Sequence, residues 1–199
     1  MIPQRLKLGF LASGNGTSAR AIVNAIKACE LAAEARLMVS NNRAAPALDF
    51  AREAGVPALC IPTQADPRAA DESLAAALAE HGVELVVLSG YLRKLGPVTL
   101  SRYGGRILNI HPGPLPQFGG HGMYGRRVHE AVLAAGVAES GVAIHLVDEE
   151  YDRGPIVAQR SVPVEPGDTA ETLEARITAV EPLFFVETLR RISKGELAL

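Results

Sequence analysis

The chain has 199 residues, 48% hydrophobic and 21% charged, which supports a sizeable core and excludes wholesale disorder. Its formal net charge of −2 argues against non-specific nucleic-acid binding. No apolar run approaches the roughly 18 residues of a membrane span, so neither nucleic acid nor membrane is an expected partner.

The length suggests one domain. The start, MIPQRLKLGFLASG, has too short an apolar run and no cleavage pattern for a secretion signal, so a cytoplasmic protein is expected. Cys29 and Cys60 stand in apolar stretches without CxxC spacing and read as buried free thiols of a reducing compartment.

In chain order, strand and helix signals alternate. Leu6–Ala12 reads as a buried strand, SGNGTS as a turn, and residues 19–32 as a helix with apolar residues at helical spacing. Ala35–Ser40 reads as a second strand and Pro46–Gly55 as a short helix closed by glycine. Val56–Pro62 follows as a strand, Arg68–Gly82 as an alanine-rich helix, and Glu84–Tyr91 as a continuous apolar strand. Gly96–Arg102 suggests a further short helix, and RILNIHP a fifth strand. Near-continuous apolar strands separated by helices indicate a parallel sheet covered on both faces.

The rhythm then changes. A long loop, Pro112–Gly122, precedes a helix over residues 124–136. SGVAIHLVD and GPIVAQRSVPV read as antiparallel neighbours, and a last helix runs from about Thr169 to Ile192. The expected fold is α/β: an open, mostly parallel Rossmann-like sheet with helices on both faces and antiparallel strands in the C-terminal part.

Gly14-x-Gly16-x-x-Ala19 fits the glycine fingerprint that joins a strand to a helix beside a phosphate. Gly16 lets the backbone approach an anion, while Thr17 and Ser18 offer N–H groups at a helix N-terminus. A nicotinamide cofactor would want an acid about 20 residues on. That place reads Ser40-Asn41-Asn42-Arg43, which disfavours NAD, tolerates NADP only through Arg43, and suits a phosphate monoester.

Asn109 and His111 stand two apart on the fifth strand and so share a face, with Pro112 ending the regular structure beyond them. An amide and an imidazole side by side suit a carbonyl oxygen that becomes an oxyanion. Asp148, Glu149, Glu150 and Asp152, in the loop between the last two strands, offer partners for the imidazole; pattern alone does not choose among them. His111, His121, His129 and His145 lack close metal-ligand spacing, so no metal is expected. No Gly-x-Ser-x-Gly elbow is present.

Together, SGNGTSARAI, VVLSGYLRKLGP, RILNIHPGPLPQFGG and GVAIHLVDEEYDRGPIVAQRSVPVEPGDT resemble the glycinamide ribonucleotide formyltransferases of the formyltransferase-fold superfamily, over nearly the whole chain. The resemblance implies formyl transfer from 10-formyltetrahydrofolate, a co-substrate, to the amine of glycinamide ribonucleotide in purine synthesis. It places the catalytic roles on Asn109, His111 and Asp152, with protonated His111 and Asn109 on the oxyanion and Asp152 raising the His111 pKa. It places the nucleotide phosphate on Gly16, Thr17 and Ser18, the ribose on Glu181, and folate against Leu92, Arg93, Leu95, Glu149, Glu150 and Tyr151. Ser18 stands where the family commonly has Asn, and His145 matches a family histidine near the site. The resemblance also implies one formyltransferase domain over residues 1–199, phosphate-binding to about 105 and catalytic beyond, acting as monomer or homodimer. HGMYGRRVHEAV is longer than the matching segment of many relatives, which leaves the role of His121 open.

The alternative within the superfamily is a 10-formyltetrahydrofolate hydrolase, with water in place of the amine. It usually carries an additional N-terminal regulatory domain, with no counterpart here. A transfer-RNA formyltransferase would need a further C-terminal domain. A non-catalytic nucleotide-binding module would leave NIHP and YDRGP without a purpose.

Overall fold

A computed structural model describes residues 5–199. Seven strands form one sheet in the order β3-β2-β1-β4-β5-β6-β7. The strands are β1 (Leu6–Leu11), β2 (Ala33–Ser40), β3 (Ala58–Cys60), β4 (Leu85–Leu88), β5 (Ile107–His111), β6 (Glu139–Leu146) and β7 (Ile156–Pro163). The first five pair in parallel, and β6 and β7 continue antiparallel. This is the expected open α/β sheet.

Five helices connect the strands and a sixth follows the last: α1 (Thr17–Lys27), α2 (Pro46–Glu53), α3 (Pro67–Glu80), α4 (Pro97–Arg102), α5 (Arg126–Ala134) and α6 (Ala170–Ser193). One face of the sheet packs under α1, α2, α5 and α6, with Ile22, Leu48, Val128 and Phe185 in a continuous apolar layer. On the other face Leu74 and Leu78 of α3 and Tyr103 beside α4 cover Leu11, Val86 and Ile107. With both faces covered, β4 is buried at every position, which is why its sequence shows no alternation.

Two readings change. Helix α1 ends at Lys27, well before residue 32, because the chain turns through Cys29 at φ 59°. Leu31 and Ala33 then enter the core as the lead-in and first residue of β2. Cys29 is therefore exposed at the turn rather than buried, and Cys60 is half-buried at the edge strand. Both are free. Helix α6 continues through Pro182 as expected, started by a reciprocal capping box between Thr169 and Thr172. Among the described residues no helix is long and apolar enough to cross a membrane.

The order reverses at β1: the chain first moves outward through β2 and β3, then returns through β4 to β7. In open sheets, ligands bind beyond the carboxyl ends of strands at such a reversal. The glycine turn, the Ser89–Leu95 segment and the Asn109–His111 strand end all leave the sheet there.

Candidate active site

The glycine turn leaves β1 and enters α1 through Gly16, whose φ of 60° is left-handed. A Cβ at Gly16 would press on Ala12 and Ala47, each at 3.2 Å, so the turn is closed by packing as well as by conformation. No side chain caps α1. The N–H of Ala19 donates to Ser89 Oγ at 3.0 Å, whereas those of Thr17 and Ser18 have no acceptor among the described residues. Ser18 is buried at 2% exposure, so what it offers outward is its backbone. Two free donors at a helix N-terminus are groups able to hydrogen-bond an anion.

Ser13 ties this turn to its neighbours. Its hydroxyl donates to Asn41 Oδ1 at 2.6 Å and accepts from the N–H of Leu92 at 2.8 Å. Ser13 and Ser89 were not singled out from sequence. Their only signal there is a hydroxyl beside a glycine at a strand exit.

The long-range grouping lies at the end of β5. Asn109 sits directly across from His145 of β6, and Asn109 Nδ2 is 3.1 Å from His145 Nε2. His145 Nδ1 donates to the Leu146 carbonyl at 2.9 Å, which leaves Nε2 to accept from the amide. His145 Nε2 is also 3.4 Å from Asp152 Oδ1, so this one nitrogen either accepts from Asn109 or donates to the carboxylate. Asp152 faces His111 with its other oxygen, 3.5 Å from Nδ1, and that oxygen accepts from the Gly120 N–H at 3.0 Å. Of the four acids in the loop, Asp152 is the one that meets the two histidines. Its own φ is 55°, a strained conformation for a residue with a side chain.

His111 is 3% exposed, and its Nε2 donates to the Phe118 carbonyl at 2.7 Å. Burial pushes the imidazole below its ordinary value, against the opposing pull of the Asp152 charge and the Phe118 carbonyl. The expectation that Asp152 lifts His111 is thus met in sign and outweighed by desolvation. For Asp152, burial acts upward, but the hydrogen bond with His145, the His111 charge and the Gly120 N–H together hold its carboxyl below the usual range. A neutral His111 bonded through Nε2 directs its Nδ1 lone pair at a carboxylate. The pair is one proton short of a satisfied hydrogen bond.

Among the remaining positions, Leu92, Arg93, Glu149, Glu150 and Tyr151 are exposed. Leu95 is 6% exposed and packs in the core beneath its segment, so it supports that surface rather than forming it. The two segments approach each other where Lys94 Nζ lies 5.7 Å from the Tyr151 ring centre. Glu181 stands mid-way along α6; burial with no compensating partner raises its carboxyl to about 7. No cluster of His, Cys, Asp and Glu able to hold a metal occurs among the described residues.

Residues 6–189 match the family model described as formyl transferase. The chain is similar to the chloroplastic phosphoribosylglycinamide formyltransferase of Vigna unguiculata, 42% identical over 192 residues, covering 95% of this chain and 61% of the relative. It is also similar to the phosphoribosylglycinamide formyltransferase of Bacillus subtilis, 35% identical over 198 residues, covering 96% of this chain and 99% of the relative. Among solved structures, glycinamide ribonucleotide transformylase 1 of Symbiobacterium toebii superposes with a TM-score of 0.88 at 35% identity, covering 98% of this chain and 91% of that one. The chain spans less than two thirds of the plant relative and nearly all of the bacterial one.

Proposed function

This chain belongs to the formyl transferase family, and from that premise we propose that it transfers the formyl group of 10-formyltetrahydrofolate to the amine of glycinamide ribonucleotide, a step of purine biosynthesis. The observation that carries this reading is the meeting of Asn109, His111 and Asp152 at the strand exit. Nearby, the anion-ready glycine turn is tied to the Leu92 segment through Ser13.

The amine attacks the formyl carbon directly, and the carbonyl oxygen becomes an oxyanion. Asn109 Nδ2 carries two hydrogens, one toward His145 and one free for that oxygen. A donor so placed contributes roughly 3 kcal/mol to the transition state in favourable cases. As the C–N bond forms, the attacking nitrogen becomes acidic. Its proton goes to the His111–Asp152 pair, which is one proton short, and then to the departing folate nitrogen as the second C–N bond breaks. His111 reaches the oxyanion as a donor only by releasing the Phe118 carbonyl from Nε2. No covalent enzyme intermediate is needed.

In this reading Gly16, Thr17 and Ser18 hold the phosphate, and Glu181 accepts from the ribose hydroxyls. Leu92, Arg93 and residues 149–151 line the folate side, with Leu95 behind them. The chain acts as one formyltransferase domain, its phosphate-binding part reaching to about residue 105, in the cytoplasm, as monomer or homodimer. Its partners are small molecules, neither nucleic acid nor membrane.

The test follows folate absorbance with 10-formyltetrahydrofolate, with and without glycinamide ribonucleotide. Turnover only with the nucleotide supports the transferase. Equal rates without it would establish the hydrolase instead.

A further inference from the structure

The loop of residues 112–125 holds turns of its own, with the Phe118 N–H on the Pro114 carbonyl at 2.9 Å and the Met123 N–H on the Gly120 carbonyl at 3.0 Å. Gly120 and Gly122 have φ of 105° and 83°, and Gly125 has φ of 54°. Glycines in such conformations lose much freedom on ordering, so contacts elsewhere must fix them. Beyond Pro116 the chain comes against Asp152. A Cβ at Gly119 would lie 3.0 Å from the Asp152 Cβ, and the next N–H, Gly120, donates to Asp152 Oδ2.

Immediately after that donor comes His121, and immediately before Asp152 comes Tyr151. Their rings lie 6.0 Å apart, tilted by 56°, within the range of an aromatic edge contact. Lys94 approaches the same ring at 5.7 Å from the segment after β4. Two segments distant in sequence, those of Lys94 and His121, therefore converge on Tyr151, one residue from an aspartate whose left-handed backbone persists only while its surroundings hold it.

We infer that His121 is a positioning residue: its contact with Tyr151 pins the glycine-rich loop so that the Gly120 N–H and the strained Asp152 stay aligned with His111. The inference rests on the formyl-transfer reading above. His121 does not itself touch the reacting atoms.

The experiment compares wild type, His121→Ala and His121→Phe, the last keeping a ring without the imidazole nitrogens. Steady-state formyl transfer is read as kcat and as KM for each substrate. Hydrogen exchange is read by mass spectrometry on the unliganded proteins, over residues 117–124 and 148–153. The expected result for His121→Ala is a kcat lower by about three- to tenfold, the size an aromatic contact supports, with both KM values unchanged. Exchange should rise in both segments, and His121→Phe should restore kcat and protection together. The inference is overturned if His121→Phe is as slow as His121→Ala, if the loss appears as a raised KM for folate, or if exchange is unaltered. Wild type that fails to transfer formyl to the nucleotide would remove the functional reading instead, and the exchange comparison would still decide whether His121 pins the loop.

Discussion

At the residue scale, the half-buried Glu181 and the buried His111 are both held away from their preferred charge, with opposite consequences. The unfolded Glu181 carboxyl ionises near 4.5 and the folded one at about 7. Between those values the folded state binds more protons, so stability is full below 4.5, falls as pH rises through 7, and stays reduced above. Glu181→Gln should therefore raise Tm at pH 8, by the equivalent of about 1–3 kcal/mol, and leave it unchanged near pH 4. On the nucleotide reading the same variant weakens nucleotide binding, which calorimetric titration at pH 8 checks. For His111, deletion of the ring removes the proton store while leaving the glycine turn intact. His111→Ala should lower kcat by two or more orders of magnitude with little change in nucleotide affinity; near-normal turnover would remove His111 from the mechanism.

The elements near the site are aimed by contacts that reach across the chain. Helix α4 is only six residues long and has no cap of its own. Asp71 of α3 supplies one: it accepts from the N–H groups of Val98 and Thr99 at 2.8 and 3.1 Å, and from the Thr99 hydroxyl at 2.6 Å. Asp71 is 7% exposed, so Asp71→Ala leaves the Val98 and Thr99 N–H groups without their acceptor and the Thr99 hydroxyl with only the residue 71 carbonyl, at 3.4 Å. It should cost about 2–3 kcal/mol in denaturant unfolding and loosen the Leu92–Leu95 segment that leads into α4. The turn before α1 is as exacting. Gly16→Ala places a Cβ at left-handed φ against Ala12 and Ala47, and should cost about 1–2 kcal/mol while weakening phosphate binding.

Across the whole molecule, α6 joins the two ends of the chain, packing on α1, α5, β6 and β7. Phe185, fully buried at its centre, anchors the larger apolar layer. Phe185→Ala should lose about 3–5 kcal/mol in urea unfolding without changing the slope. Acid should act on the molecule at several points at once. Burial holds His111 and His129 below the ordinary imidazole value, so the unfolded chain binds more protons as pH falls below about 6.5. Asp152 and the Arg176-paired Asp168 are held below the usual carboxylate range, which extends the loss below about pH 4. A Tm profile should consequently climb from acid toward neutrality, with Glu181 opposing the climb up to about pH 7.

The sequence by itself determined the elements and their class. Continuous apolar runs such as LVVL, glycine terminators and proline helix starts act through local sterics and hydrophobic periodicity, which need no partner to be read. It also placed Asn109 and His111 on one face, because strand alternation is a local rule. Where α1 ends was not legible: a helical period continues past Lys27, and only the demand of β2 and the core for Leu31 and Ala33 makes the chain turn at Cys29. Nor could pattern select Asp152 from its three acidic neighbours; resemblance named it, and tertiary contact brought it to His111 and His145. The balance on His111 was likewise set by folding alone. A nearby carboxylate can be guessed from sequence, whereas desolvation is a property of everything packed around the ring, and here desolvation is the larger effect.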